Sequence, residues 1–320
     1  MSRPPTPSIR IGISACLLGE RVRYDGGHKR DGYLVETFGR FVEWVQVCPE
    51  VEMGLGTPRD TLRLVRIGEN VRMVMPKTGT DYTDGMQTFA RRRLRQLEKE
   101  DLCGYVLKKG SPSCGMERVR VFNPRGMPAK SGRGLFTEEL LAHFPNLPVE
   151  EEGRLYDPRL RENFIERVFA YRRLRTLFAG HWRQGDLVAF HTAHKLLLMA
   201  HSPRAYKSLG QLVAGAKSMP HAELRLRYEA EFMAALSEAA TTRRQTNVLQ
   251  HIAGYLRPHL DKDSQKELHA QIEDYRRGLV PLIVPVTLIR YFLRRVPIPY
   301  LSGQLYLEPH PKELMLRNHV

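Results

Sequence analysis

The chain has 320 residues, a formal net charge of +15 at pH 7 and a sequence pI near 9.8. Because one domain usually holds about 100–200 residues, this length predicts two domains. No run of about 18 apolar residues exists, which excludes a helical membrane span. The first ten residues are polar and proline-rich and lack the apolar core of a secretory signal, so we expect a cytoplasmic protein.

The positive charge carries information about partners rather than about fold. Arginine dominates the excess, and its planar guanidinium suits phosphates and base edges. Nucleic acid is therefore the favoured partner. An acidic lipid surface and a soluble protein that is merely basic are the alternatives.

The first half of the chain alternates short apolar runs with helical patterns. Strands are predicted at residues 9–17, 45–48, 62–66, 71–75, 103–107 and 118–122. Helices are predicted at residues 32–45 and 81–101. Such alternation predicts an α/β domain with a Rossmann-like, mostly parallel sheet, which we assign to residues 1–155.

The second half changes character after a connection that is rich in Pro, Glu and Asp. From about residue 160 to 295 the pattern is helical, most clearly at 184–199, 204–214, 223–240, 248–256 and 263–276. Prolines separate these segments, and the proline-rich tail is predicted to be extended. We expect residues 156–320 to form an all-α domain that binds tRNA or a protein partner.

Four cysteines, Cys16, Cys48, Cys103 and Cys114, all lie in the first 114 residues. Structural disulfides are rare in a reducing cytosol, which leaves buried thiols, a catalytic thiol or metal ligands. Cys16, Cys48 and Cys114 end or follow predicted strands, whose carboxyl ends meet at one crevice in an open α/β sheet. Cys103 precedes an apolar run and is interpreted as a core residue. No C-x-x-C pair is present, so both a metal site and ordinary buried thiols stay open.

Four ordered blocks, spread over roughly residues 8–150, resemble the thiouracil desulfidase family. They read ISACLLGERVRYDGGHKRD, VCPEVEMGLGTPRDTLRLV, TGTDYTDGM and LKKGSPSCGM. The helical half, from FHTAHKLLLMAHSP to IPYLSGQLYLEPHP, resembles the domain that is often fused behind it. The fused form resembles the tRNA 4-thiouridine desulfidases.

The resemblance implies that Cys16, Cys48 and Cys114 hold a [4Fe-4S] cluster. Three protein ligands leave one iron open, and an open coordination position is typical of catalytic metal centres. The implied reaction is a non-redox, hydrolytic cleavage of a C–S bond, aided by Lewis-acid activation of the thiocarbonyl.

Three further residues match the family's catalytic positions. The resemblance implies that Glu50, Ser111 and Ser113 supply the acid/base and hydroxyl groups, with Glu52 as a rival to Glu50. Without the resemblance, the glutamate would be interpreted as a helix cap or surface ion pair. The serines would then be ordinary turn residues around Pro112.

Basic and aromatic residues in or beside the blocks are candidates for substrate binding. These are Tyr24, Lys29, Arg59 and Lys108. Lys29 and Arg59 are favoured over the other basic residues because they lie within the blocks and near the predicted crevice. The many other basic residues are more simply explained as solvated helix faces.

A histidine cluster stands apart from the blocks, in the helical half. His191 and His194 share a helix face, and Lys195 and His201 lie close in sequence. Asp186 is five residues before His191, which is not a same-face spacing. A polar helix face, or one that faces RNA or a protein partner, is therefore favoured over a metal site.

The expected function is a [4Fe-4S]-dependent desulfidase that converts 4-thiouridine in tRNA to uridine and sulfide. Two alternatives stay open: a desulfidase for free thiouracil, and a non-catalytic iron–sulfur or zinc RNA-binding regulator. No association with a membrane is expected, and the sequence does not determine the oligomeric state.

Overall fold

The computed structural model describes residues 9–319. The first eight residues, on which the expectation about a secretory signal partly depends, lie outside the described residues. The chain divides into two compact units, Met1–Tyr156 and Asp157–Val320, which we call the α/β unit and the helical unit. Among residues 9–319, no helix combines the length and apolar character that crossing a membrane would require.

The described part of the α/β unit contains eight strands in two four-stranded sheets. The strands are β1 (Arg10–Ser14), β2 (Glu43–Val47), β3 (Arg63–Ile67), β4 (Asn70–Val74), β5 (Leu102–Leu107), β6 (Val119–Phe122), β7 (Pro128–Gly132) and β8 (Val149–Glu151). The first sheet is parallel throughout, in the order β2-β1-β5-β8. The second has the order β4-β3-β6-β7, with two antiparallel pairs joined by a parallel contact between β3 and β6. Helices α1 (Thr83–Leu97) and α2 (Leu135–His143) complete the unit.

The centre of the parallel sheet is buried because β1 and β5 carry apolar residues on both faces, as parallel strands usually do. Gly12 in β1 lies under the ring of Tyr105 in β5, where a Cβ would stand only 2.2 Å from Cδ2 of that ring. This contact brings the two strands together without a gap. Because the strands are parallel, the carboxyl ends of β1, β2 and β5 lie at the same edge of the sheet.

The helical unit contains α3 (Pro158–Phe178), α4 (Gln184–His201), α5 (Pro203–Ala214), α6 (His221–Ser237), α7 (Thr242–Leu256), α8 (Lys262–Arg276), α9 (Ile283–Arg295) and α10 (Pro299–Ser302). Three of these helices begin with a side-chain cap. The side chains of Asp157, Thr241 and Asp261 accept backbone hydrogen bonds at the start of α3, α7 and α8. The core includes the fully buried rings of Tyr228 and Phe232, which stack on each other.

The fold class is confirmed: an α/β unit with a parallel sheet precedes an all-α unit. The predicted secondary structure differs from the observed one in three places. The helix predicted at 32–45 is only one turn each of π and 3-10 helix, Tyr33–Thr37 and Phe38–Arg40, because β2 begins at Glu43. The tail predicted to be extended contains α10, which Pro299 begins in the favourable first position. The predicted connection at 145–160 contains β8 and the start of α3.

Candidate functional site

The carboxyl ends of β1, β2 and β5 open into one cavity of about 290 Å³, which we call the cysteine cavity. Its walls include the side chains of three cysteines and several polar residues. Those relevant to chemistry are Ser14, Cys16, Tyr24, Cys48, Glu50, Arg59, Lys108, Ser111 and Cys114. The strand ends therefore bring together residues from sequence positions 14 to 114.

Each cysteine of the cavity reaches it from a different strand. Cys16 lies in the 3-10 turn Ala15–Leu18 directly after β1, and Cys48 follows β2 by one residue. Cys114 lies in the loop between β5 and β6. None of these three forms a disulfide. Cys103 is different: it lies near the start of β5, fully buried, and its thiol donates to the Asp101 carbonyl at 3.7 Å.

The cavity holds its thiols in an environment that disfavours negative charge. Burial raises the pKa of Cys16 to about 11 and also raises the pKa of Cys48 and Cys114. The neighbouring thiol of Cys48 adds to both other shifts, which reflects the proximity of the three sulfurs. Three thiolates here require a positively charged group among them, which is the role that a metal centre fulfils.

The three thiols line one cavity and are together candidate ligands for an iron–sulfur cluster. Within residues 9–319, no three His, Cys, Asp or Glu side chains converge closely enough to hold a single metal ion. In an iron–sulfur cluster each thiolate binds a different iron, so the ligands stand farther apart than those of one ion. Three thiols that line one cavity without converging on a single point are compatible with such ligation. The hydroxyl of Ser14, which hydrogen-bonds the Cys114 thiol, lowers the pKa of that thiol against the effect of burial.

Glu50 is the carboxylate on the cavity wall, and both of its oxygens are held. Oε1 accepts a hydrogen bond of 2.7 Å from the Ser113 hydroxyl. Oε2 accepts from Nε and Nη2 of Arg59 at 2.9 and 2.6 Å. The Glu50 side chain is 14% exposed and that of Arg59 only 6%. A largely dry, doubly anchored carboxylate has a fixed position relative to anything bound in the cavity.

Glu52, the rival to Glu50, does not line the cysteine cavity. Its Oε1 accepts from the backbone N–H of Cys48 at 2.9 Å, and its Oε2 pairs with Nε of Arg93 at 2.8 Å. Glu52 therefore shapes the turn that presents Cys48. Between the two glutamates, Glu50 is the one whose carboxylate contacts the cavity.

The two serines occupy different positions in the loop after β5. Ser111 lines the cavity, and its hydroxyl accepts from the backbone N–H of Ser113 and Cys114 at 3.2 and 3.1 Å. Ser113 is completely buried behind the wall and contacts Glu50. Ser111 thus fixes the loop conformation, whereas Ser113 fixes the carboxylate.

The four residues predicted to bind substrate have different surroundings. Tyr24 lines the cavity and is 42% exposed, and Lys108 lines it with its ammonium paired to Glu152. Arg59 lines it too, but its guanidinium is engaged by Glu50 and by the Val22 and Gly56 carbonyls. The Lys29 side chain is exposed and does not line the cavity; its backbone N–H donates to the Cys16 carbonyl at 2.9 Å.

Sequence reasoning missed Ser14 and Glu152. The hydroxyl oxygen of Ser14 accepts a hydrogen bond of 3.0 Å from the backbone N–H of Lys108, and this bond connects β1 to the loop after β5. Glu152 follows β8 and pairs with Lys108 across 44 residues. The position of Ser14 at a strand end was a usable signal, whereas nothing local in the sequence connects Glu152 with Lys108.

The histidine cluster of the helical half is buried, so the interpretation as a polar or partner-facing surface is wrong. His191 pairs with the Tyr228 hydroxyl at 3.1 Å, and His194 with the Phe190 carbonyl at 2.7 Å. His201 contacts the Glu238 carbonyl and the Glu166 carboxylate. The three rings have separate partners within the helical core.

Comparison with known proteins assigns the family. Residues 11–152 match the family model described as 2-thiouracil desulfurase. The chain belongs to this family. Residues 195–311 match a second family model, DUF1722, which is described as a protein of unknown function. The family predicted from the four sequence blocks is therefore confirmed.

Relatives of this desulfurase family member include proteins from two model bacteria and a solved structure. YbgA of Escherichia coli K12 is 35% identical over 161 residues, which cover 50% of this chain and 95% of YbgA. YbbK of Bacillus subtilis 168 is 30% identical over 113 residues, covering 33% of this chain and 72% of YbbK. The solved structure of TudS, described as a [4Fe-4S]-dependent thiouracil desulfidase, has 34% identity to this chain and a TM-score of 0.39. The match covers 47% of this chain and 95% of TudS.

Proposed function

We propose that this chain is an iron–sulfur-dependent desulfidase that converts 4-thiouridine in tRNA to uridine and sulfide. The observation that carries the proposal is the meeting of three cysteines without disulfides and one anchored carboxylate in the cysteine cavity. Membership of the 2-thiouracil desulfurase family supports C–S cleavage at a pyrimidine. The net reaction consumes one water and releases one sulfide, so it needs no reductant.

Cys16, Cys48 and Cys114 are the residues that would hold a [4Fe-4S] cluster. Bound by three thiolates, such a cluster would supply a Lewis acid that draws electrons from a thiocarbonyl. Ser14, which hydrogen-bonds Cys114, is placed to support the thiolate form of that ligand. Cys103 takes no part because it lies near the opposite end of β5.

Glu50 is the group that moves protons. Its carboxylate takes a proton from water as the oxygen adds to the ring carbon, and it returns a proton to the departing sulfur. Ser113 and Arg59 hold the two oxygens of this carboxylate in one orientation. Arg59 is therefore a positioning residue in this proposal rather than a direct contact of the substrate.

The remaining wall residues orient the substrate. Tyr24, half-exposed on the wall, provides an aromatic face on which a pyrimidine can stack. Lys108, paired with Glu152 and close to Cys16, supplies positive charge beside the cluster ligands. Lys29 is exposed and is suited to contact a phosphate rather than the reacting base.

The choice of tRNA over free thiouracil depends on charge. The net charge of +15 favours a polyanionic substrate over an uncharged base. The segment of the helical unit that matches DUF1722 also carries exposed arginines, which could bind RNA phosphates but have no role in binding a free base. Phosphate contacts release counterions, so the rate on tRNA at low substrate concentration should fall steeply with salt. The rate on the free base should change little.

The test compares three substrates with anaerobically reconstituted protein: thiolated tRNA, the 4-thiouridine nucleoside and free thiouracil. Loss of thiocarbonyl absorbance and release of sulfide are followed between about 50 and 200 mM salt, where such contacts cost orders of magnitude in affinity. We expect the highest kcat/KM on tRNA and a strong salt dependence for that substrate alone. Higher kcat/KM on free thiouracil would favour the free-base alternative. Binding of tRNA without turnover of any substrate would favour the regulator alternative.

A further inference from the structure

The second sheet of the α/β unit has an outward face that carries basic residues but no acidic ones. Its four strands, β3, β4, β6 and β7, contain four arginines, one lysine and no Asp or Glu. Side chains alternate between the two faces of a sheet. Leu64, Met73 and Val121 are buried on one face, so the residues beside them in each strand lie on the other. This outward face therefore presents only basic and uncharged side chains from its strands.

Three basic residues form a row across the outward face. Leu64 of β3 pairs with Val121 of β6. One residue earlier in both strands, Arg63 lies beside Arg120, and Arg120 pairs with Lys130 of β7. All three basic side chains are exposed, and no carboxylate within residues 9–319 forms an ion pair with them. Because like charges on neighbouring strands repel each other, an anionic partner would stabilise this row.

An apolar row lies directly beside the basic row. Val65 of β3 pairs with Phe122 of β6, and Phe122 pairs with Pro128 of β7. The Phe122 ring is half-buried, and the guanidinium of Arg63 lies over it, 4.8 Å from the ring centroid. The stacked guanidinium keeps its charge while its planar face covers the ring. Positive charge and an aromatic surface therefore stand next to each other.

Arg72 of β4 faces the same side, but two carboxylates already neutralise it. Its Nη1 lies 3.3 Å from Oδ1 of Asp84 and 3.6 Å from Oδ2 of Asp81. The row of three basic residues has no such partners, so its charge is available to a ligand. We use the name basic sheet face for the residues Arg63, Val65, Arg120, Phe122 and Lys130.

The basic sheet face begins next to the cysteine cavity. Thr61 and Leu62 line that cavity, and Arg63, the next residue, starts β3. An extended chain rises about 3.3 Å per residue, so the backbone of Arg63 lies within about 7 Å of that of Thr61. A polynucleotide with one base in the cavity would therefore have its neighbouring nucleotides within reach of the basic sheet face.

We propose that the basic sheet face binds a single-stranded segment of RNA. Its phosphates meet the row of basic residues, and an unpaired base stacks on Phe122. A strand of RNA carries phosphates along one side and bases along the other, which matches a basic row beside an apolar one. The choice of RNA as the polyanion rests on the proposed function. The basic sheet face itself shares no residue with the cysteine cavity.

The test measures how tightly full-length, cluster-reconstituted protein binds a short fluorescent oligoribonucleotide without thiouridine, by fluorescence anisotropy at several salt concentrations. Arg63→Gln and Arg120→Gln should each raise Kd about 3- to 10-fold. Each should also lower the slope of log Kd against log salt by about 0.7, the value for one phosphate contact of a single strand. Arg66→Gln is the matched control, because Arg66 is an exposed arginine on the opposite face of β3. It should change Kd by less than about twofold.

Phe122→Leu examines stacking separately from charge. Leucine keeps an apolar side chain but removes the aromatic ring, so Kd should rise about fivefold or more while the salt slope stays unchanged. Ultraviolet crosslinking of an oligoribonucleotide that contains 5-bromouridine, mapped by mass spectrometry, should label β6. Melting temperatures verify that each variant folds. The arginine variants, at exposed positions, keep the test decisive if Phe122→Leu does not fold.

Equal RNA affinities of Arg120→Gln and Arg66→Gln would overturn the proposal, as would tighter binding of a duplex than of the single strand. Binding to phosphatidylglycerol vesicles that both Arg63→Gln and Arg120→Gln abolish, with RNA affinity unchanged, would identify a lipid surface instead. The RNA contains no thiouridine, so none of these results depends on turnover. Desulfidase activity without the expected RNA binding defeats only this proposal. The expected RNA binding without turnover of any thiolated substrate defeats only the proposed function.

Discussion

The hydroxyl of Ser113 donates a hydrogen bond of 2.7 Å to Oε1 of Glu50, across 63 residues of sequence. Ser113 is fully buried, so this bond approaches the carboxylate from behind the wall of the cysteine cavity. Arg59 holds the other oxygen. The carboxylate therefore has a fixed direction before any substrate arrives, which is the condition for efficient proton transfer.

Replacing Glu50 tests its proposed role in proton transfer while leaving the cysteines intact. We expect Glu50→Gln to lower kcat by about 10²–10⁴-fold, the usual contribution of general acid–base catalysis. Steady-state rates on thiolated tRNA measure this, with iron and sulfide content determined on the same sample. Glu52→Gln is the matched control, and it should retain far more activity because Glu52 does not line the cavity. Equal losses in the two variants would contradict the assignment.

Replacing Arg59 separates a positioning role from substrate binding. In Arg59→Lys a point charge replaces the planar fork, so Glu50 keeps a cation but loses its orientation. We expect kcat to fall by about 10²-fold, as misplacement of a catalytic group does, with KM within about twofold of wild type. A raised KM with unchanged kcat would instead indicate that Arg59 contacts the substrate.

Variants of the three cysteines of the cavity should bind less iron than a variant of the fourth cysteine. Cys16→Ser, Cys48→Ser and Cys114→Ser should each lose most reconstituted iron and sulfide, because a cluster held by three thiolates loses a ligand. Cys103→Ala, as the matched control, should keep wild-type iron content. The measurement is iron and acid-labile sulfide per chain after anaerobic reconstitution. Iron loss in Cys103→Ala equal to that of the others would point to a four-cysteine site.

The buried ion pair of the helical unit predicts a stability that depends on pH. Burial alone would raise the pKa of Glu166, but Arg317 and His201 hold it below its usual value. The stability gained from its charge is therefore complete above the ordinary glutamate pKa of about 4.3 and is lost as pH falls through the lower folded-state value. We expect Glu166→Gln to lose about 3–5 kcal/mol of unfolding free energy at pH 7, because it leaves the buried Arg317 without its closest carboxylate.

Denaturant unfolding of the helical unit, followed by helical circular dichroism, measures this difference at pH 7 and at pH 4 and below. The gap between wild type and Glu166→Gln should narrow as pH falls. Glu223→Gln removes an exposed pair with Arg227 and should change stability by less than about 1 kcal/mol at either pH. A gap that is constant with pH would show that the charge of Glu166 is not what stabilises the fold.

Much of the α/β unit could be predicted because its signals are local. Short apolar runs that alternate with helical patterns specify parallel strands, and β1, β2 and β5 lie within one to three residues of their predicted bounds. The second sheet was not predicted as such, because its parallel contact between β3 and β6 joins segments more than 50 residues apart. The residue pattern of a single strand does not indicate which distant strand it pairs with.

Residue types and local patterns were enough to predict the family, the order of the two units and the position of three cysteines at strand ends, because short stretches of sequence carry each of these signals. The different contacts of Glu50 and Glu52 became visible only in the folded chain: two residues apart, they direct their carboxylates to different partners, Ser113 and Arg59 for one, Arg93 for the other. The folded chain also pairs Arg59 with Glu50 and buries the histidines that the helical pattern had placed on a surface. Each of these outcomes depends on contacts between distant segments, and such contacts form only when the chain closes around its core.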